Sequence, residues 1–155
     1  MQGFINGKPV TFAVDETILE VARRQGHFIP TLCELADADH APGTCRVCLV
    51  EIRRDGHEPD VVTSCDTPME EGMEVLTRTQ IVREKQRLQV ELLLGDHDQD
   101  CATCVRHGKC ELQDAAQFVG LQRSRYGRRA YFRDCTRDTS SVSVARDMTK
   151  CIRCH

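Results

Sequence analysis

The first residues of the chain alternate between apolar and polar positions around a turn signal. Val10, Phe12 and Val14 are separated by single residues of smaller or more polar character, and the pair Asn6-Gly7 precedes them. Alternation with a period of two is typical of a strand with one buried face, and Asn-Gly is a favoured two-residue turn. The pattern predicts an opening β-hairpin.

A helix signal and several strand signals follow the hairpin. Thr17 and Glu20 stand at capping-box spacing before apolar residues, and Gly26 is placed to end the helix. Short runs of β-forming residues predict three further strands, at residues 47–52, 61–63 and 73–76. Several short strands around one helix predict a small α+β domain.

The hydrophobic period changes to that of a helix at Gln80. The positions predicted to share one face of this helix are Ile81, Val82, Lys85, Leu88, Gln89, Leu92 and Leu93. Gly95 is predicted to stop the helix, and a shorter helix is predicted to end at Gly120. Residues 121–149 have no clear period, and we expect them to form an extended segment packed on its neighbours.

Composition narrows the class of protein. Ten cysteines among 155 residues are far above ordinary usage. The chain opens without a basic stretch followed by an apolar one, so no secretory signal is predicted and we expect a cytoplasmic location. Thiols stay reduced there, which favours metal ligation over disulfides. No apolar run is long enough to insert in a membrane, and the formal net charge of −3 disfavours nucleic-acid binding.

Four cysteines form a first candidate ligand set in loops and at strand ends. They are Cys33, Cys45, Cys48 and Cys65. Four thiolates suit a [2Fe–2S] cluster or a tetrahedral zinc ion. Structural zinc sites usually use two Cys-x-x-Cys knuckles, whereas only one is present here, so the spacing favours the cluster. Zinc and, more weakly, disulfide pairing remain the alternatives.

A second candidate set follows the predicted long helix. It consists of His97, Cys101, Cys104 and Cys110. Three cysteines and a histidine also fit zinc by residue type. A lone histidine is more often a surface residue than a ligand, but His97 stands just ahead of three closely spaced cysteines.

The chain closes on a further Cys-x-x-Cys pair. Cys151 and Cys154 resemble the first half of a ferredoxin Cys-x-x-Cys-x-x-Cys run, which leads us to expect that the sequence is part of a longer protein. Cys135 fits none of the three sets and is predicted to have no ligand role.

These motifs resemble one family of oxidoreductases. The residues that carry the resemblance are Pro30-Thr31-Leu32-Cys33, Gly43-Thr44-Cys45-Arg46-Val47-Cys48, Ser64-Cys65-Asp66-Thr67-Pro68, His97 to Cys110 and Thr149-Lys150-Cys151-Ile152. They are similar to the N-terminal iron–sulfur region of cytoplasmic [FeFe]-hydrogenases. The same region opens the large peripheral subunit of NADH:quinone oxidoreductase and some NAD-dependent formate dehydrogenase α subunits.

The resemblance implies an architecture. Residues 1–79 would form a β-grasp, ubiquitin-like [2Fe–2S] ferredoxin domain, and residues 80–120 a small helical [4Fe–4S] domain whose ligands are one histidine and three cysteines. Residues 121–149 would connect these to a ferredoxin-type [4Fe–4S] domain that starts at 150–155 with Cys151 and Cys154.

The resemblance also implies a function, which is the relay of single electrons to a catalytic site elsewhere on the same polypeptide, such as the H-cluster of an [FeFe]-hydrogenase. No Gly-x-Gly-x-x-Gly follows a strand, so the expected partners are a flavin-containing NAD(P)H-oxidising subunit and a small [2Fe–2S] subunit. The alternatives are the same relay in an NADH:quinone oxidoreductase or a formate dehydrogenase. A rival of another class is a zinc-stabilised module that binds RNA or protein through the basic and aromatic residues 123–133.

Overall fold

The computed structural model describes residues 1–35, 43–126, 138–147 and 150–152. All eight residues of the first two candidate ligand sets lie within these ranges, as does Cys151. Cys135 and Cys154 lie outside the described residues, so the roles expected for them stay predictions.

The chain opens with the predicted hairpin. Strand β1 (Gln2–Ile5) pairs antiparallel with β2 (Lys8–Thr11) across the Asn6-Gly7 turn. Asn6 and Gly7 have positive φ angles of 52° and 77°, which the tight hairpin turn requires and which Asn and Gly tolerate best. One face of the hairpin is buried, because Ile5 and Val10 point into the core.

Helix α1 (Ile18–Arg24) begins at the predicted capping box. The Thr17 hydroxyl accepts a hydrogen bond from the Glu20 amide, and the Glu20 carboxylate accepts one from the Thr17 amide. The apolar face of the helix packs on the sheet and consists of Ile18, Leu19, Val21 and Ala22, all of them buried. Gly26 follows the helix with a φ of 74°, as its predicted role requires.

Five strands form one mixed sheet in the order β2-β1-β5-β3-β4. The remaining strands are β3 (Leu49–Arg53), β4 (Asp60–Thr63) and β5 (Glu74–Leu76). β1 and β5 run parallel at the centre, whereas the other neighbours are antiparallel. This sheet, crossed by α1, confirms the α+β fold and the predicted β-grasp order.

Helix α2 (Gln80–Asp96) differs from its prediction in two ways. Gly95 lies inside the last turn instead of stopping the helix. Its role is in packing, because an ideal Cβ on residue 95 would be only 3.0 Å from the Tyr126 Cβ, and a small residue fits there. The predicted apolar face was also only partly right, because Val82 is buried whereas Ile81, Leu88 and Leu92 are each more than 40% exposed. The buried residues of α2 are Val82, Gln86, Val90, Glu91, Leu94 and Gly95.

A second core forms where α2 meets helix α3 (Glu111–Phe118). Leu112, Ala115 and Ala116 are buried, and Gly120 follows the helix with a φ of 66°, at the position predicted for its end. Leu121 also joins this core.

The segment after α3 follows its prediction only in part. Residues 121–126 pack on α2, whereas 138–147 are exposed throughout and fold back through a bridge between Asp138 and Arg146. The serines and charged residues of 138–147 supply little apolar surface to bury, which accounts for the difference. Within the described ranges, no helix is both long and apolar enough to cross a membrane.

Candidate iron–sulfur sites

The first candidate ligand set lies in three loops at one end of the sheet. Cys33 follows α1, the loop before β3 carries Cys45 and Cys48, and Cys65 follows β4. The structure brings all four sulfurs into the interior, with residue exposures between 1% and 6%. Free cysteines are commonly buried in proteins, so the grouping of the four residues, and not their burial, is what fits a bound group.

The four thiols are arranged as two pairs. The Cys45 amide donates a hydrogen bond to the Cys33 sulfur at 3.3 Å. Burial opposes ionisation of Cys33, but the backbone of Cys45 and the Thr44 side chain hold its pKa below the ordinary value. The Cys65 thiol lowers the pKa of Cys48 to about 6, and this contact in turn raises the pKa of Cys65. Each pair thus has one thiol whose pKa is lowered.

This donor set fits a two-iron cluster. Each of the two irons would take one pair of thiolates, and nearby amides would stabilise the sulfur charge. Among the residues that the structure describes, no three side chains of His, Cys, Asp or Glu are close enough together to hold a single metal ion.

Close packing fixes the loop that carries Cys45 and Cys48. Gly43 has a φ of 63°, and a Cβ there would lie 2.1 Å from Oδ2 of Asp66. The Asp66 carboxylate in turn accepts a hydrogen bond from the Thr63 hydroxyl. The loop before β3 thus approaches the loop that contains Cys65 closely at Gly43.

The second candidate set surrounds one pocket between α2 and α3. The pocket has an empty volume of about 320 Å³, and its lining includes His97, Cys101, Cys104 and Cys110. His97 caps the C-terminus of α2, and Cys110 is the N-cap of α3. The partial positive charge of the α3 N-terminus favours an anionic group in the pocket. All four predicted ligands are thus brought to one place, which fits a bound cluster.

A hydrogen bond orients the imidazole of His97. Its Nδ1 lies 3.3 Å from the carbonyl oxygen of Cys151, and His97 is only 8% exposed. A carbonyl can only accept, so this bond requires the proton on Nδ1 and leaves the Nε2 lone pair available to a metal. The contact also brings the start of the third predicted set next to the second set.

The third set is described only through Cys151, which is exposed. Its neighbour Lys150 forms an ion pair with Asp98, with 2.9 Å between Nζ and Oδ2. The hydrogen bond with Asp98 raises the pKa of Lys150. Ile152 packs against the second core. Residues 150–152 are therefore fixed to the region around His97 by polar and apolar contacts.

Sequence reasoning missed two residues beside these sites. Ser64 has a fully buried hydroxyl next to the first set, and its position directly before Cys65 was the only available signal. Asp98 anchors Lys150 through its ion pair, and no motif in the sequence singled it out. Both assignments depend on long-range contacts that local spacing does not encode.

Comparison with known families identifies both regions. Residues 2–80 match the family described as a 2Fe-2S iron-sulfur cluster binding domain. Residues 86–125 match the NADH-ubiquinone oxidoreductase-G iron-sulfur binding region, a 4Fe-4S family. These matches confirm the prediction that the chain binds a [2Fe–2S] and a [4Fe–4S] cluster.

Individual relatives belong to several related enzymes. The chain is 38% identical to the NADP-reducing hydrogenase subunit HndD of Solidesulfovibrio fructosivorans, over 97% of the chain and 26% of that subunit. It is 33% identical to the NADH-ubiquinone oxidoreductase 75 kDa subunit of Reclinomonas americana, over 97% of the chain and 21% of that subunit. The chain thus spans about a quarter of the length of these relatives.

A solved structure shows the same fold. It is the NAD⁺-reducing [NiFe]-hydrogenase in its H₂-reduced state, which matches with a TM-score of 0.85 and 26% identity over 99% of this chain and 62% of that one. The resemblance predicted from the sequence motifs is confirmed by these comparisons. Because the model of the 2Fe-2S iron–sulfur cluster binding domain matches residues 2–80, which is about half of the chain, the chain belongs to this family.

Proposed function

We propose that this chain relays single electrons between two iron–sulfur clusters inside a larger NAD(P)-linked oxidoreductase. The observation that carries the proposal is the second core, which contacts both ligand sets. Cys33 and Cys45 of the first set lie in this core, and Cys110 of the second set packs against it. The two clusters would therefore be separated by packed side chains and not by a solvent-filled gap.

The proposed ligands follow the predicted sets. The [2Fe–2S] cluster would be held by Cys33, Cys45, Cys48 and Cys65, and the [4Fe–4S] cluster by His97, Cys101, Cys104 and Cys110. Such clusters supply one-electron redox chemistry when bound. The protein residues set the burial, the amide donors and the charge around each sulfur. Cys151 and Cys154 are proposed as the first ligands of a further [4Fe–4S] cluster.

The finer identity of the parent enzyme belongs to the same proposal. We favour an NAD(P)-linked hydrogenase, because a hydrogenase subunit is among the relatives with the higher identity. A complex I-type subunit is the alternative, supported by the 75 kDa relative. In either case the proposed partners are a flavin-containing NAD(P)H-oxidising subunit and a small [2Fe–2S] subunit, and the proposed location is the cytoplasm. The division at residues 79/80 likewise remains a prediction.

Metal analysis of anaerobically prepared protein tests the ligand assignment. We expect about six irons per chain with matching acid-labile sulfide, two from the first cluster and four from the second. Cys48→Ser should lose the irons of the [2Fe–2S] cluster alone, and Cys104→Ser should lose those of the [4Fe–4S] cluster. Cys135→Ser is the control and should keep all of them. Stoichiometric zinc without sulfide would contradict the proposal.

His97→Cys tests the least usual ligand. A neutral imidazole in place of a thiolate removes one negative charge that opposes reduction of the cluster. The substitution should keep four irons and lower the midpoint potential of the [4Fe–4S] cluster, on the order of 100 mV. Redox titration monitored by electron paramagnetic resonance measures this shift. An intact cluster with an unchanged or higher potential would show that His97 does not bind iron.

A further inference from the structure

Ser64 carries a buried hydroxyl that has no partner among the residues that the structure describes. The residue is 0% exposed, and its Oγ makes no hydrogen bond with any described residue. An unpaired buried hydroxyl destabilises the folded state. Such a group in a native site calls for an acceptor that arrives with a bound group.

The backbone of Ser64 places that hydroxyl beside the first ligand set. The Ser64 amide donates to the carbonyl of Cys48 at 3.1 Å, and the Ser64 carbonyl accepts from the Leu19 amide at 2.9 Å. Both backbone groups are therefore satisfied and hold the residue between the first turn of α1 and the loop before β3. Only the hydroxyl is left to find a partner.

The acceptor of suitable chemistry in this part of the site is the sulfur of Cys48, because the hydrogen bond from the Ser64 amide to the Cys48 carbonyl fixes these two buried residues side by side. A thiolate bound to iron is a stronger acceptor than a neutral thiol, because charged acceptors form the stronger bonds.

We propose that the Ser64 hydroxyl donates a hydrogen bond to the cluster-bound thiolate of Cys48 and thereby raises the reduction potential of the [2Fe–2S] cluster. Reduction adds one negative charge that is shared among the irons and their sulfurs. A hydrogen bond to one of those sulfurs stabilises the reduced state more than the oxidised state, which is one of the ways a protein tunes such clusters. The proposal rests on the assignment of Cys48 as a ligand.

Three variants of the iron-loaded chain test this role. Ser64→Ala and Ser64→Gly both remove the hydroxyl, and neither adds an atom that could clash at this buried site. Ser124→Ala is the matched control, because it removes a hydroxyl that binds the carbonyl of Glu91 in the other half of the chain. The measurements are iron and sulfide content, the midpoint potential of the [2Fe–2S] signal, and the proton hyperfine couplings of that signal in H₂O and D₂O.

The expected result is full cluster content with a lower midpoint potential in both Ser64 variants. We expect the equilibrium constant for one-electron reduction to fall about tenfold, which corresponds to about 59 mV. One exchangeable proton coupling should disappear in these variants and remain in the control. Unchanged potential and couplings with an intact cluster would overturn the proposal.

Two further outcomes are decisive. Loss of the cluster from both Ser64 variants would also overturn the proposal, since a hydroxyl that only tunes the potential is dispensable for assembly. Wild-type protein without a [2Fe–2S] signal would instead contradict the proposed function, so the two failures are distinguishable.

Discussion

At the scale of single residues, the loop of Cys45 and Cys48 depends on backbone conformations that most residues avoid. Gly43 and Arg46 have φ angles of 63° and 53°, in the left-handed region. Arg46 is not glycine, so its conformation stores backbone strain that the surrounding contacts must offset. The left-handed conformation at Arg46 turns the chain between Cys45 and Cys48. Both cysteines are buried, whereas Arg46 is exposed.

Gly43→Ala should disrupt the [2Fe–2S] site through two separate effects. A left-handed conformation costs alanine about 1–2 kcal/mol, and the new Cβ would also collide with Oδ2 of Asp66. We expect a lower unfolding temperature and a reduced occupancy of the [2Fe–2S] cluster, measured by thermal unfolding and by visible absorbance relative to protein.

Gly56→Ala separates the backbone effect from the collision. Gly56 has a φ of 75°, but no atom lies within 4 Å of its ideal Cβ. This variant should lose a similar amount of stability to backbone strain and keep its cluster. Equal cluster loss in both variants would mean that the contact with Asp66 is unimportant.

At the scale of elements, α2 is held in place by buried polar residues as well as by its apolar core contacts. Gln86 donates to the carbonyl of Leu49 in β3 at 2.9 Å. The Glu91 carboxylate accepts three hydrogen bonds of 2.9 Å from Arg125, one from the amide and two from the guanidinium. These contacts explain why hydrophobic periodicity predicted the extent of α2 well and its buried face poorly. A polar residue with a distant partner can occupy an inward position, and only the fold reveals that partner.

Glu91→Gln should release residues 121–126 from α2. An amide cannot accept the bidentate contact from Arg125, so amide hydrogen exchange at Arg125 and Tyr126 should become severalfold faster. Glu84→Gln is the control, because Glu84 is exposed on the same helix. Unchanged exchange in Glu91→Gln would show that the segment is held by its apolar contacts alone.

The pH dependence of this contact has a definite sign. The hydrogen bonds from Arg125 lower the pKa of Glu91 to about 2. A depressed folded-state pKa contributes stability that is complete above the ordinary carboxyl value and lost as the pH falls from about 4.5 towards 2. The difference in the free energy of unfolding between wild type and Glu91→Gln should therefore be constant between about pH 6 and 8. A difference that varies over that range would point to another titrating group.

At the scale of the whole molecule, the sequence predicted local features such as turns and helix caps. It did not predict how the sheet domain packs against the helices that follow it. The Asn6-Gly7 turn and the Thr17 capping box were read correctly, because each is determined by residues a few positions apart. The cysteine spacing grouped residues that the structure places in common loops or around one pocket, and their role as cluster ligands stays a prediction. The second core combines Val47 from the sheet domain with Val90 and Leu112 from the helices, and no local pattern records that contact.

This shared core predicts that a substitution in α2 will affect the cluster assigned to the other domain. Val90 is 0% exposed and packs in the core that contains Cys33 and Cys45. Val90→Ala should leave a cavity and cost about 2 kcal/mol of unfolding free energy. Because the cavity adjoins two proposed ligands of the [2Fe–2S] cluster, we expect that cluster to be lost faster on heating or in the presence of a chelator.

The matched control is Leu88→Ala on the exposed side of the same helix. Leu88 is 41% exposed, so its truncation removes more atoms than Val90→Ala but empties little buried space. Following the [2Fe–2S] and [4Fe–4S] signals separately during thermal unfolding compares the two variants. Val90→Ala should accelerate the loss of both signals, since its cavity lies in the core that both ligand sets contact, whereas Leu88→Ala should follow the wild type. If Val90→Ala accelerated only the loss of the [4Fe–4S] signal, the two halves would be energetically independent despite their shared core.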